Sequence, residues 1–220
     1  GQVRLGTEKI DKTSKLISKE SKLILDRPLP YVGRGGLKLE SFLEKHPLPI
    51  KEISILDLGA STGGFTDCLL QKGASTATCV DVGRAQLHYK LRTDPRVINF
   101  EKTNLRDLTK DKLVNFPFSI IVMDLSFISL TKVLVRAWSF LSIGGTLIAL
   151  VKPQFECEKK EADRGRGIIK DEHIHQRVLK EISCFAEQKL ENSDLIAQEE
   201  AIPKGTDGNT EFFLAWRKKA

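Results

Sequence analysis

The chain has 220 residues, 40% hydrophobic and 29% charged, the balance of a globular protein with room for one full α/β core and a small appendage. Its net charge of +6 is uneven: residues 1 to 51 hold 11 Lys and Arg against 6 Asp and Glu, a surplus of +5, and the remainder is nearly neutral. The longest apolar run, TLIALV, is far shorter than a membrane span and the first residues lack an apolar secretory core, so no membrane insertion is expected and a cytoplasmic location is.

A chain that starts at Gly1 without a methionine is expected to be part of a longer protein. Residues 1 to 26 are polar and lysine-spaced, with VRL and LIL as short candidate strands; they are too few to bury a core of their own. RPLP at 27 to 30 reads as a linker. YVGRGGLKLESFLEKH then opens on a glycine turn and continues with Leu39, Phe42, Leu43 and His46 at helical spacing, until Pro47 and Pro49 end it. Beyond this the pattern predicts strands near 53–58, 76–81, 96–100, 119–124, 145–151, 194–202 and 211–217, and helices near 64–72, 84–91, 131–140 and 171–189. Such alternation means an α/β fold built on a parallel, doubly wound sheet with helices on both faces.

The segment ISILDLGASTGGFTD, residues 53 to 67, joins a buried strand to a glycine-rich turn and a helix whose first amides point at the turn, the arrangement of a cofactor cradle. Its spacing is D-x-G-x-x-x-G-G. It lacks the second glycine of a dinucleotide fingerprint, and Phe65 stands where a phosphate-binding loop needs lysine. An acidic residue ahead of the turn, Asp57, suits the ammonium of S-adenosyl-L-methionine, which carries no phosphate. The next strand, STATCVD, ends in Asp81, about 20 residues further on, where a carboxylate accepts the hydrogen bonds of ribose hydroxyls. The competing reading is an aspartate that merely caps a turn. The expected cofactor set is Asp57, Gly59, Ala60, Ser61, Thr62, Gly63, Gly64 and Phe65 from the turn, Asp81 and Val82 after the second strand, Asn104 after the third and Asp124 after the fourth.

Ligands of such sheets bind beyond the carboxyl ends of the strands, and two of those ends are charged. Asp124 follows the apolar strand IIVM, and Lys152 follows TLIALV. Beside a cofactor turn, catalysis is the better explanation of both. Methyl transfer from a sulfonium needs alignment and a base for the attacking group, and Lys152 is the candidate base for a ribose hydroxyl. A base-amino methylase would show [DN]-P-P-[YF]; DLSF at 124 to 127 keeps the aromatic and lacks both prolines. Cys157 lies after the fifth strand, but Glu156 and Glu158 beside it disfavour a thiolate nucleophile. The four cysteines, Cys68, Cys79, Cys157 and Cys184, show no C-x-x-C spacing and are expected to be free thiols. His173 and His175 form H-x-H, which on a helix points to different faces, so no metal site is expected. Spacing alone leaves Lys38 and Glu211 undecided.

YVGRGGLKLE (31–40), LDLGASTGGFTD (56–67), DPRV (94–97), DLSFISL (124–130), VKPQFE (151–156) and GNTEFF (208–213) together resemble the TlyA family of ribosomal RNA 2′-O-ribose methyltransferases, within the wider FtsJ-like group. The likeness spans about residues 30 to 217 and implies a seven-stranded, Rossmann-like methyltransferase sheet. It also implies ribosomal RNA or a ribosomal subunit as partner, and a Lys-Asp-Lys-Glu tetrad that falls on Lys38, Asp124, Lys152 and Glu211. Members carry an N-terminal RNA-binding domain like that of ribosomal protein S-four; residues 1 to 26 are similar to its C-terminal part only, so most of that domain is missing. Gly33 departs from the family's usual serine before arginine. The loop CEKKEADRGRGIIKD, 157 to 171, resembles the family's variable lid, whose basic residues could meet phosphates or could simply be solvated. Two other functions remain beside the enzyme: a haemolysin-type membrane-active protein, since members of the family bear that label, and a non-catalytic RNA- or ribosome-binding module.

Overall fold

The computed structural model describes residues 3–10, 14–18, 20–25, 29–205 and 207–220, and the chain falls into two units, Gly1–Pro30 and Tyr31–Ala220. In the first, β1 (Val3–Leu5) pairs antiparallel with β2 (Glu8–Ile10) and with β3 (Leu23–Leu25), in the order β2-β1-β3. VRL and LIL are thus strands, and EKI is a third that its alternation did not announce. Half of the expected linker, residues 27 and 28, lies outside the described residues.

The second unit is built on seven strands: β4 (Ser54–Leu58), β5 (Thr76–Val80), β6 (Val97–Phe100), β7 (Phe118–Met123), β8 (Leu141–Val151), β9 (Ser193–Glu200) and β10 (Phe212–Lys218). They lie in the order β6-β5-β4-β7-β8-β10-β9. All pairings from β6 across to β8 are parallel, as expected, whereas β10 runs antiparallel to both β8 and β9. The purely parallel sheet expected from the alternation is therefore corrected at this one strand. A short return through residues 201–211 leaves no room for a crossover helix, so β10 must come back reversed. Its first residues then stand at the same edge as the carboxyl ends of the other strands.

Both faces of the sheet are buried along its central strands, which explains why β4, β7, β8 and β10 are largely apolar without alternation, while the edge strand β9 is mostly exposed. Leu56, Leu58, Ile121, Met123, Leu147 and Leu214 face one core layer, under α4 (Leu134–Trp138) and α7 (Glu172–Lys189). Ile55, Ile120, Val122, Ile148, Leu150 and Phe213 face the other, under α1 (Arg34–Lys45) and α2 (Gly64–Gln71). On α1 the spacing Leu39, Phe42, Leu43 buries three side chains, each worth about 2 kcal/mol relative to exposure, and the helix ends at His46 before Pro47.

Three helical expectations change. Residues 84–88 are loop and only α3 (Tyr89–Arg92) is helical, because Ala85 takes a left-handed φ of 53° and His88 N donates to Thr62 O at 3.1 Å instead of starting a helix. The helix expected over 131–140 is a 3-10 turn at Leu130–Lys132 followed by the short α4. The lid expected as loop over 157–171 contains α6 (Lys159–Arg164), closed by a reciprocal capping box between Glu158 and Glu161, and the short α5 (Pro153–Glu156) precedes it.

Candidate active site

Strand order reverses between β4 and β7, and the crevice forms there. The chain leaves β4 at Leu58, turns at Gly59 with φ 84°, passes Ser61 at φ 48° and enters α2 from Gly63 at φ 93°. A side chain at Gly59 would put its Cβ 2.6 Å from Asp124 O, so only glycine lets the turn lie against β7. Asp81, at the end of β5, ties the turn down: its Oδ2 accepts from Ser61 N at 2.8 Å and its Oδ1 from Gly83 N at 2.7 Å. Together these walls enclose a cavity of about 420 Å³.

Of the cofactor residues expected from the sequence, Gly59, Ser61, Asp81, Val82, Asn104 and Asp124 line this cavity. Six do not. Ala60, Gly63, Gly64 and Phe65 are buried behind the turn, where Phe65 packs against Phe213 at 5.9 Å between ring centroids. Thr62 is exposed beside α1; a Cβ on Gly33 would lie 2.6 Å from its Oγ1. Asp57 is 1% exposed and sits under the turn, where its Oδ2 accepts from Thr66 Oγ1 at 2.6 Å and from Thr66 N at 3.1 Å, pinning α2 to β4. Its Oδ1 is buried without a hydrogen-bond partner. Burial, reinforced by the charges of Asp124 and Asp81 and opposed by the Thr66 bonds, pushes the Asp57 carboxyl from its ordinary 3.8 to about 7.

The four charged residues of the resemblance form two ion pairs. Lys38, buried on α1, places Nζ 2.5 Å from Glu211 Oε2. Lys152, just past β8, places Nζ 2.7 Å from Asp124 Oδ1 and donates to Ser126 Oγ at 2.9 Å. The β8–β10 register pairs Val151 with Phe212, so Glu211 and Lys152 leave the ladder side by side. Both line a second, polar cavity of about 200 Å³. Gly205 makes room for the carboxylate: a Cβ there would lie 2.7 Å from Glu211 Oε1.

Ser126 and Phe127 border both cavities. Phe127 stands 89% exposed at φ 64°, a conformation that costs a non-glycine residue about 1 kcal/mol or more, with its ring 4.8 Å from that of Phe155. The loop is held from below, since Glu156 Oε1 accepts from Leu130 N at 2.8 Å and so bolts VKPQFE to DLSFISL. Burial raises the Glu156 carboxyl above its usual range. Cys157 lines neither cavity. Its thiol is raised by burial first and by Glu161 next, so the carboxylate that acts on it is not one of its chain neighbours. His175 is buried, with Nε2 3.0 Å from Ile169 O and its ring edge-on to Phe212, while His173 is exposed.

A family model described as FtsJ-like methyltransferase matches residues 31–218. The chain belongs to the FtsJ-like methyltransferase family. It is 36% identical to the 16S/23S rRNA (cytidine-2′-O)-methyltransferase TlyA of Mycobacterium tuberculosis, over 97% of this chain and 79% of that protein. It is 39% identical to the Bacillus subtilis rRNA methyltransferase candidate YqxC, over 97% of this chain and 75% of that one. A solved structure from Streptococcus thermophilus that bears a provisional hemolysin name matches with a TM-score of 0.84 at 37% identity, covering all of this chain and 79% of the other.

For an FtsJ-like methyltransferase the sheet order and the crevice at β4 and β7 are in place, and sequence reasoning reached the polar half of the crevice. Of the apolar half it reached Val82 and missed Leu125, Ile128 and Val133, and it missed Ser126, which receives Lys152. The DLSF motif was visible, but only the fold of its loop shows that serine and phenylalanine stand between two cavities.

Proposed function

We propose that this chain transfers a methyl group from S-adenosylmethionine to a ribose 2′-hydroxyl of ribosomal RNA. The observation that carries the reading is the wall common to the two cavities: a donor in the 420 Å³ cavity and an acceptor in the 200 Å³ one would meet across Ser126 and Phe127, beside the Asp124–Lys152 pair. The relatives' names supply the class of acceptor, and the +5 surplus of residues 1 to 51 suits the approach to a polyanion.

The residues present fit the cofactor. Each Asp81 oxygen uses one acceptor direction on a backbone amide and keeps another for a ribose hydroxyl. Val82, Leu125 and Ile128 give an apolar wall for a flat ring, with Asn104 beside them for its polar edge. Asp57 Oδ1 is a buried acceptor lacking a donor, and it places negative potential under the turn, where a cationic amino-acid end would lie. When bound, the sulfonium supplies an activated methyl group and departs as a neutral thioether, so no general acid is required.

In this reading Lys152 first gives up its ammonium proton to solvent and then, as the neutral amine, is the base that takes the proton of the ribose hydroxyl, a role worth about 10²- to 10⁴-fold in rate. Asp124 and Ser126 aim its nitrogen, and the buried Lys38–Glu211 pair fixes the opposite wall of the small cavity. Residues 1 to 26 are assigned to an RNA-binding domain and residues 31 to 220 to the methyltransferase domain, working in the cytoplasm on ribosomal RNA or a ribosomal subunit. Incubating labelled cofactor with ribosomal subunits and with naked rRNA, then mapping alkali-resistant ribose methylation, tests the reading. Lys152→Ala is expected to abolish transfer and to keep cofactor binding; full transfer by this variant would remove Lys152 from the role of base.

The membrane-active alternative rests on the hemolysin names of relatives. Among the described residues no helix is long and apolar enough to cross a membrane. Leakage from liposomes on addition of the purified chain would favour that alternative over ours.

A further inference from the structure

A further concavity of the methyltransferase unit lies outside the site described so far. It measures about 650 Å³ and is formed by α6, the loop after it and the first turns of α7. Four permanent cations line it: Arg164, Arg166, Lys170 and Arg177. Arg177 is neutralised, with Nη2 2.5 Å from Glu161 Oε2. The Asp171 carboxylate is occupied as the N-cap of α7, accepting from His173 N at 2.9 Å. Among the described residues no carboxylate forms an ion pair with Arg164, Arg166 or Lys170. All three are exposed, and since Asp171 is the one carboxylate of the lining outside the Arg177–Glu161 pair, the concave wall keeps a net positive charge of +2.

The loop is shaped to present them and is fixed in place. Arg166 takes a left-handed φ of 50° between two glycines, and a Cβ on Gly165 would lie 2.1 Å from Ile168 O. Asn209, 2% exposed, clamps the return: its Nδ2 donates to Gly167 O at 2.8 Å and its Oδ1 accepts from Ile169 N at 2.9 Å. The same Asn209 lines the small cavity with Lys152 and Glu211. One buried side chain therefore joins the cationic wall to the place assigned to the target ribose.

We infer that this wall is a seat for the phosphate backbone of the substrate RNA, holding phosphates that flank the nucleotide presented to Lys152. The inference rests on the reading of the chain as an RNA methyltransferase. A strand with one ribose in the small cavity must carry its charge away along the neighbouring surface, and the Asn209-anchored loop is an adjoining surface with cations that no carboxylate pairs. Each phosphate neutralised there releases counterions, so the seat has a thermodynamic signature separate from catalysis.

The test is equilibrium binding of a ribosomal RNA fragment to the full chain, at about 50 to 300 mM salt, for wild type, for Arg164→Ala/Arg166→Ala/Lys170→Ala, and for a control with the exposed Lys51, Lys72 and Arg217 changed to alanine at the far ends of the strands. The first variant is expected to bind about tenfold or more weakly at the low-salt end and to lower the slope of log affinity against log salt by about 1 to 2. Its cofactor affinity and its kcat at saturating RNA stay those of wild type, with the loss appearing in KM. The control keeps the wild-type slope to within about 0.5. An unchanged slope in the first variant, or an equal fall in the control, overturns the seat. RNA binding is read without methyl transfer, so a wild-type chain that binds RNA through this wall but methylates none would refute the proposed activity and leave the seat standing.

Discussion

The carboxyl of Asp57 makes stability depend on pH in a direction opposite to that of aspartates held ionised in salt bridges. Its pKa in the folded chain, about 7, lies above the ordinary 3.8, so the unfolded chain gives up this proton more readily. Stability contributed by the protonated group is therefore complete below pH 4 and declines as pH rises, levelling off above about 7. With about 1.36 kcal/mol per unit, the whole decline is about 4 kcal/mol, of which about 2.5 kcal/mol falls between pH 5 and pH 8. Asp57→Asn removes the titration and keeps a carbonyl for the two Thr66 bonds. Its amide nitrogen would occupy the place of the partnerless Oδ1, at a pH-independent cost of about 1 to 3 kcal/mol. Urea unfolding of the ligand-free protein at pH 5, 6.5 and 8 is the assay. The variant is expected to be weaker than wild type by about 1 to 3 kcal/mol at pH 5 and to gain about 2.5 kcal/mol on it by pH 8. Parallel profiles for the two proteins would show that Asp57 ionises normally and refute the reasoning.

Two further outcomes follow from the packing. Gly59→Ala combines a left-handed φ of 84° with a Cβ 2.6 Å from Asp124 O, so it should lower stability by about 2 kcal/mol or more and weaken cofactor binding at least tenfold; a thermal midpoint and a cofactor titration read both. Glu211→Leu leaves the Lys38 ammonium buried without its partner and should cost about 3 to 5 kcal/mol in urea unfolding, whereas Lys38→Met/Glu211→Leu should recover most of that loss while methyl transfer stays absent. Restored transfer in the double variant would show that the pair serves only the fold.

What could be read in advance divides along the range of the interactions concerned. The glycine turn was legible because its constraints are local: Gly59 and Gly63 answer to backbone angles set within a few residues, and Asp81 to a strand end about 20 residues on. Asp124 and Lys152 were legible because a charge after a fully apolar strand has few explanations. Lys38 and Glu211 stand 173 residues apart, and no local pattern links them. They meet because β10 runs against its neighbours, which brings its first residue, rather than its last, to the edge where the crevice opens. An all-parallel sheet would put Glu211 at the opposite end, so the one topological expectation that failed is also the one on which half of the charged cluster depends. The same logic separates the fates of the cofactor residues. Phe65, Gly63 and Ala60 lie in a motif that specifies a turn, and a turn needs buried supports as much as it needs residues facing the ligand; sequence spacing marks both alike, and only burial tells them apart. Asp57 is the instructive intermediate, since one of its oxygens supports the turn through Thr66 and the other stays unpartnered beneath it. A carboxylate needed only to hold α2 could have been replaced by asparagine at lower electrostatic cost, so a group kept ionisable and under-satisfied here is better explained by the positive charge it is proposed to receive than by the fold it helps to brace.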